Sequence, residues 1–150
     1  MGMTIAISIA HRDVIFAAAA ASADEICGLL LGRNGAVEEV RSCVNVAADP
    51  ARHFEIEPAA LLASHRAARE GGLDVLGHYH SHPTGVAEPS VADAAQAMAD
   101  GAIWVIVGNG RMTAWRAVTN GALHGRFDPV AIIRTAACAS DADSPQGGDI

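Results

Sequence analysis

The chain has 150 residues, a net charge of -7 and an apolar content of 51%, which suits one domain with a substantial core. Its ten basic residues are scattered, which argues against free duplex DNA as a main ligand, since nucleic-acid binders carry a basic patch or stripe. No apolar run reaches the roughly 18 residues of a membrane span, and Arg12 and Asp13 interrupt the longest run, Ile5 to Ala23. The N-terminus also lacks the basic-then-apolar order of a signal peptide, so a cytoplasmic location is expected. Cys27, Cys43 and Cys138 form no C-x-x-C pair, and an odd count argues against a disulfide framework.

In chain order, Thr4–Ile7 is expected as a strand, and the apolar spacing of Ile9–Ala23 predicts a helix. Ile26–Leu31 is a short apolar run, expected as a buried strand. Asn34-Gly35 tolerates the positive φ of a hairpin turn, which returns Val37–Val46 as a second strand and leaves Glu25 at one end of the hairpin. After a loop with Asp49-Pro50, His53–Ile56 reads as a short strand. Pro58 suits the first turn of a helix, continued by Leu61, Leu62, His65 and Ala68 and stopped by Gly71-Gly72. Leu73–Tyr79 is expected as a buried strand, followed by the Pro83–Pro89 loop and a helix from Ser90 to about Asp100. Ile103–Val107, Met112–Val118 and Leu123–Phe127 are further strands, turned at Gly108-Asn109-Gly110 and Asn120-Gly121. Residues 1–135 are read as the domain. The pattern fades from Arg134, and the polar end, 136–150, is expected to be disordered.

The strand ending at Tyr79 delivers His80 and His82. Residues i and i+2 of a strand share a face, so the two imidazoles converge. Asp93, in the first turn of the next helix, supplies a carboxylate. Two imidazoles and a carboxylate make a three-ligand zinc site with the fourth position left to water. Each piece also has a plain reading. A lone His-x-His is common, and Ser90-Val-Ala-Asp93 is a variant of the capping box. Both readings of Asp93 hold at once, because a helix start fixes the side chain as a ligand requires.

His80-Ser81-His82, seven residues, Ser90, two residues, Asp93 resembles the signature of the JAMM (MPN+) metallopeptidases. Glu25-Ile-Cys-Gly-Leu-Leu-Leu-Gly32 resembles the family's upstream glutamate motif. The resemblance runs from about Ser8 to Phe127. It implies an α+β, three-layer α/β/α-like fold with a curved, mostly antiparallel sheet flanked by helices. It implies one zinc held by His80, His82 and Asp93, with Glu25 as the proton carrier and Ser90 as a hydrogen-bond donor to the oxyanion. The implied substrate is a ubiquitin-like or sulfur-carrier protein with a Gly-Gly tail, cut at its C-terminal amide bond. The short His82–Ser90 spacing resembles the compact prokaryotic stand-alone type.

Several readings stay open on the residues alone. Glu25 by itself is an exposed charge at a strand start. Ser90 is a helix cap, an oxyanion donor or a nucleophile, the last without a Gly-x-Ser-x-Gly context. His78 shares a face with His80 and is a fourth ligand, a hydrogen-bonding neighbour or a packed ring. Cys27 is a small buried hydrophobe, or a regulatory or metal-touching thiol. At the level of the whole chain, the rivals to a peptidase are a catalytically silent MPN-type scaffold and a RadC-like protein of DNA metabolism. Gly147-Gly148 raises the question of a tail that mimics substrate. The oligomeric state is not written in the sequence.

Overall fold

The computed structural model describes residues 3–136. Most of the expected tail, including Gly147-Gly148, lies outside the described residues. The elements are β1 (Thr4–Ser8), α1 (Ile9–Ala20), β2 (Cys27–Arg33), β3 (Ala36–Cys43), α2 (Pro58–Arg69), β4 (Asp74–Ser81), α3 (Val91–Gln96), β5 (Ile103–Gly108), β6 (Arg111–Gly121) and β7 (Gly125–Thr135). Among them no helix is long and apolar enough to cross a membrane.

Local chemistry sets most boundaries. Ser8 caps α1 by accepting the His11 N–H at 3.0 Å. The β2–β3 hairpin turns through Asn34 and Gly35, at φ 55° and 75°. Pro58 opens α2, whose cap is the Glu57 carboxylate accepting from the Ala60 N–H. Three expectations need correction at this level. His53–Ile56 forms no strand, only a bridge between Asn45 and Ile56. The helix after Ser90 stops at Gln96, because Ala97 is already extended. The last strand runs past Phe127 to Thr135, through Pro129. Pro129 is tolerated because its one neighbour there is Trp115 of β6; β1 joins only from Ala131 onward.

The three-layer α/β/α-like expectation is overturned. The seven strands form one closed sheet in the order β1-β3-β2-β4-β5-β6-β7. β1 makes the closure: it runs parallel to β7 from Thr4↔Ala131 to Ser8↔Thr135, and touches β3 at Ala6↔Ala36. The sheet is mixed but remains mostly antiparallel: β2–β3, β2–β4, β5–β6 and β6–β7 are antiparallel, and β1–β3, β1–β7 and β4–β5 are parallel. Alternation within a strand says which residues share a face, not which distant strand becomes its neighbour, so closure left no local trace.

The sheet has two different faces. On one, Ile5, Ile7, Leu30, Val37, Tyr79, Val105, Val107 and Val130 pack with Ile15 of α1. On the other, Cys27, Trp104, Ala117 and Phe127 pack with Phe54 from the β3–α2 loop and with Ala94 and Ala97 around α3. β4 contributes to both. Tyr79 enters the first cluster, while the rings of His78 and His80 lie against Phe54 and Trp104.

Candidate active site

His80 sits in β4 between Cys27 of β2 and Ile106 of β5 and is fully buried. Its ring stacks on Phe54, centroids 4.1 Å apart and planes 16° apart. His82 follows the strand's end, and its backbone N–H donates to the Val107 carbonyl at 2.8 Å. The next loop folds back so that the Val86 carbonyl lies 2.8 Å from His82 Nδ1. That contact requires Nδ1 to carry the proton, so the neutral ring offers a lone pair at Nε2.

The loop is seated from beneath. The Thr113 hydroxyl donates to the Ala87 carbonyl, and His124 Nε2 lies 3.0 Å from the Pro89 carbonyl. Gly108 is needed here: a Cβ at that position would fall 2.6 Å from the Gly85 carbonyl oxygen.

Ser90 and Asp93 form a complete capping box. Ser90 Oγ accepts the Asp93 N–H at 3.0 Å, and Asp93 Oδ2 accepts the Ser90 N–H at 2.9 Å. The same Oδ2 lies 3.4 Å from His80 Nε2 and 3.2 Å from His82 Nε2. The two Nε2 atoms are 3.1 Å apart. For comparison, a tetrahedral ion with bonds of about 2.0–2.2 Å spaces its ligands roughly 3.3–3.6 Å apart. The three donor atoms therefore fit one ion with small adjustment.

Glu25 brings a second carboxylate. One donor atom each from Glu25, His80 and His82 falls within 4.8 Å of the others. Asp93, at 3.2 and 3.4 Å from the imidazoles, is the closer acid. Glu25 is held by its backbone: its N–H donates to the Pro50 carbonyl at 2.8 Å and its carbonyl accepts from Asn45 Nδ2 at 2.8 Å. Next to it, the Ile26 N–H donates to Ser81 Oγ at 2.9 Å. Ser81, between the two histidines in sequence, thus ties the Glu25 segment to β4.

The electrostatics separate the two acids. Burial raises the Glu25 pKa to about 7, with Asp93 adding and His82 opposing. Burial also works against ionised Asp93, but its contacts with the His80 and His82 rings and the hydrogen bond from the Ser90 N–H outweigh it and hold this carboxyl below its ordinary range. Burial lowers the His80 pKa against the pull of Asp93. For His82 burial is outweighed by the bonds to Asp93 and Val86, and the net shift is upward. One acid is thus fixed as an anion beside two imidazoles, while the other exchanges a proton near neutrality.

Ser90 is exposed at the rim. It lines, with Glu25, Arg52, His82 and Thr84, an open cavity of about 240 Å³. His78 does not join the triangle. Its ring centre is 6.2 Å from that of His80 and 4.4 Å from that of Trp104, and burial pushes its pKa down to about 3. Cys27 is buried opposite Cys43, and burial, with Cys43 and Glu25, pushes its thiol up to about 12. It packs as a protonated thiol. Sequence reasoning does not single out Asn45, Phe54 or Arg52: the first two fall in expected strands and the third in a loop, with no motif to mark them.

Comparisons with known proteins agree with this arrangement. Residues 9–118 match the family described as prokaryotic homologs of the JAB domain. The chain is 37% identical over 93 residues to a desampylase of Haloferax volcanii, covering 60% of this chain and 67% of that protein. It is 41% identical over 70 residues to a probable TtuB-protein conjugate cleaving protease of Thermus thermophilus, covering 47% of each. A solution structure of a protein from Desulfitobacterium hafniense superposes with a TM-score of 0.78 at 25% identity, over 95% of this chain and 100% of that one. The chain belongs to the prokaryotic homologs of the JAB domain, as the two motifs implied. Within that family it is an isopeptidase of the JAMM type.

Proposed function

We propose that this protein is a zinc-dependent isopeptidase that hydrolyses the amide bond at the C-terminus of a ubiquitin-like or sulfur-carrier protein ending in Gly-Gly. The observation that carries the reading is the triangle of His80 Nε2, His82 Nε2 and Asp93 Oδ2, with edges of 3.1 to 3.4 Å, beside a buried Glu25. His80, His82 and Asp93 would hold the zinc. Bound there, zinc supplies an activated water near neutral pH and polarises the scissile carbonyl.

The chain's own residues do the rest. Glu25 takes a proton from the attacking water and returns it to the leaving amine, a role suited to a carboxyl poised near pH 7. Ser90 Oγ already accepts from the Asp93 N–H; its hydroxyl proton is directed to the oxyanion that forms in the cavity. The Val86 carbonyl keeps His82 in the tautomer that leaves Nε2 open. The Thermus relative's name, a protease that cleaves a protein conjugate, supports the substrate class.

The test is cleavage of a ubiquitin-like protein whose Gly-Gly carboxyl is blocked by an amide, with and without chelator, alongside metal analysis of the purified chain. Zinc at one per chain, loss of cleavage on chelation and recovery on adding zinc are expected. Equal activity of wild type and Glu25→Gln would overturn the mechanism.

A further inference from the structure

We infer that Asn45 is a positioning residue for both halves of this site, an inference that rests on the functional reading above. Asn45 lies in the loop after β3, outside the cavity by the candidate residues, yet its amide is fully engaged. Nδ2 donates to the Glu25 carbonyl at 2.8 Å and the His53 carbonyl at 3.0 Å, with the Pro50 carbonyl at 3.5 Å. Oδ1 accepts from the Ala47 N–H at 3.0 Å and the Glu55 N–H at 3.1 Å. An asparagine amide has two donor hydrogens and two acceptor lone pairs, and all four are used.

What these bonds hold gives the residue its meaning. The donor side fixes the backbone of Glu25. His53 and Glu55, gripped from the two ends of the amide, flank Phe54, whose ring stacks on His80. A ligating histidine is ordinarily oriented by donating its other ring N–H to a carboxylate or carbonyl. His80 Nδ1 is buried with no such partner. The Phe54 face, backed edge-on by Trp104, takes over the orienting part, and Phe54 is itself placed by Asn45. One amide therefore sets the proton carrier and the ring of a metal-binding histidine in a common frame.

The two halves separate by substitution in the full chain. Asn45→Asp is isosteric and keeps the oxygen that accepts from Ala47 and Glu55, but loses the donors to Glu25 and His53. With zinc saturating and a Gly-Gly carrier amide as substrate, its kcat is expected to fall about 100-fold while KM stays within about threefold. Its zinc affinity, read by competition with a chromophoric chelator, is expected to stay within about threefold of wild type, because the bond from the Glu55 N–H still holds one side of Phe54. Asn45→Ala removes both halves and is expected to lose about 10-fold in zinc affinity as well.

A purely structural residue would lower Tm and leave kcat untouched well below the melting transition. Folded Asn45→Asp with wild-type kcat therefore overturns the inference. Should Asn45→Ala fail to fold, Phe54→Leu reads the metal half alone: about 10-fold weaker zinc supports the inference, and unchanged affinity overturns it. Wild-type protein that takes up no zinc, or leaves the carrier intact, breaks the functional reading rather than the assignment of Asn45.

Discussion

The two faces of β4 carry different loads. On the face under α1, Tyr79 joins a cluster of aliphatic side chains. On the other face the same strand buries His80 and half-buries His78, and Glu25 comes in from the chain before β2. Three atoms there, His78 Nδ1, His80 Nδ1 and Glu25 Oε1, are buried without a hydrogen-bond partner. An unmet polar atom costs roughly 1–3 kcal/mol. The first face holds the molecule together, and the second gives up stability to bury polar groups beside the candidate site.

Substitutions should divide along that line. The largest effect belongs to Glu25→Gln, expected to lower turnover by about 10²–10⁴-fold while zinc content stays at wild-type level, as paired rate and metal measurements will read. Ser90→Ala is expected to lower kcat by roughly 10²–10³-fold through the lost oxyanion donor, and to cost about 1 kcal/mol of stability through the lost cap, read by denaturant titration. On the opposite face, Leu30→Ala should destabilise the fold by about 2–5 kcal/mol, with zinc affinity and kcat of the folded fraction unchanged. A Leu30→Ala protein that lost its metal instead would blur the distinction between the faces.

The smallest expected effect is on pH dependence, in metal-free protein. Folded Glu25 has its pKa raised from 4.5 to about 7, so between those values the folded state binds more protons than the unfolded one. Its contribution to stability is then fully present below pH 4.5 and lost as pH rises through 7. Glu25→Gln removes that loss. The variant should match wild type near pH 4.5 and exceed it above pH 7 by at most roughly 3 kcal/mol. His78 acts with the opposite sign. Its folded pKa is lowered from 6.5 to about 3, so stability falls as pH drops below 6.5, and His78→Phe should flatten that acid limb in thermal melts.

Much of the site was written in short stretches of sequence. His80, His82, Ser90 and Asp93 lie close along the chain, and strand and helix periods put them together. Glu25 needed its Cys-Gly-Leu-Leu context, because a glutamate before a strand has no local sign of burial. Asn45 carries no such sign either, since its partners lie up to 20 residues away. Phe54 read as a strand residue because an aromatic among apolar neighbours looks the same whether it pairs or stacks. The sheet's closure was the least visible feature. It depends on β1 meeting β7 across more than 120 residues, and the Pro129 that marks its far strand reads locally as a breaker.

Asp93 Oδ2 is shared between the Ser90 backbone and the two imidazoles. The helix it starts is only six residues long, too short to persist by itself in water. Capture of an ion by Asp93, as proposed, would therefore be thermodynamically linked to the winding of that single turn and a half. Deuterium uptake at the Ala94 and Ala97 amides, which close that helix onto Ser90 and Asp93, becomes a substrate-free gauge of occupancy.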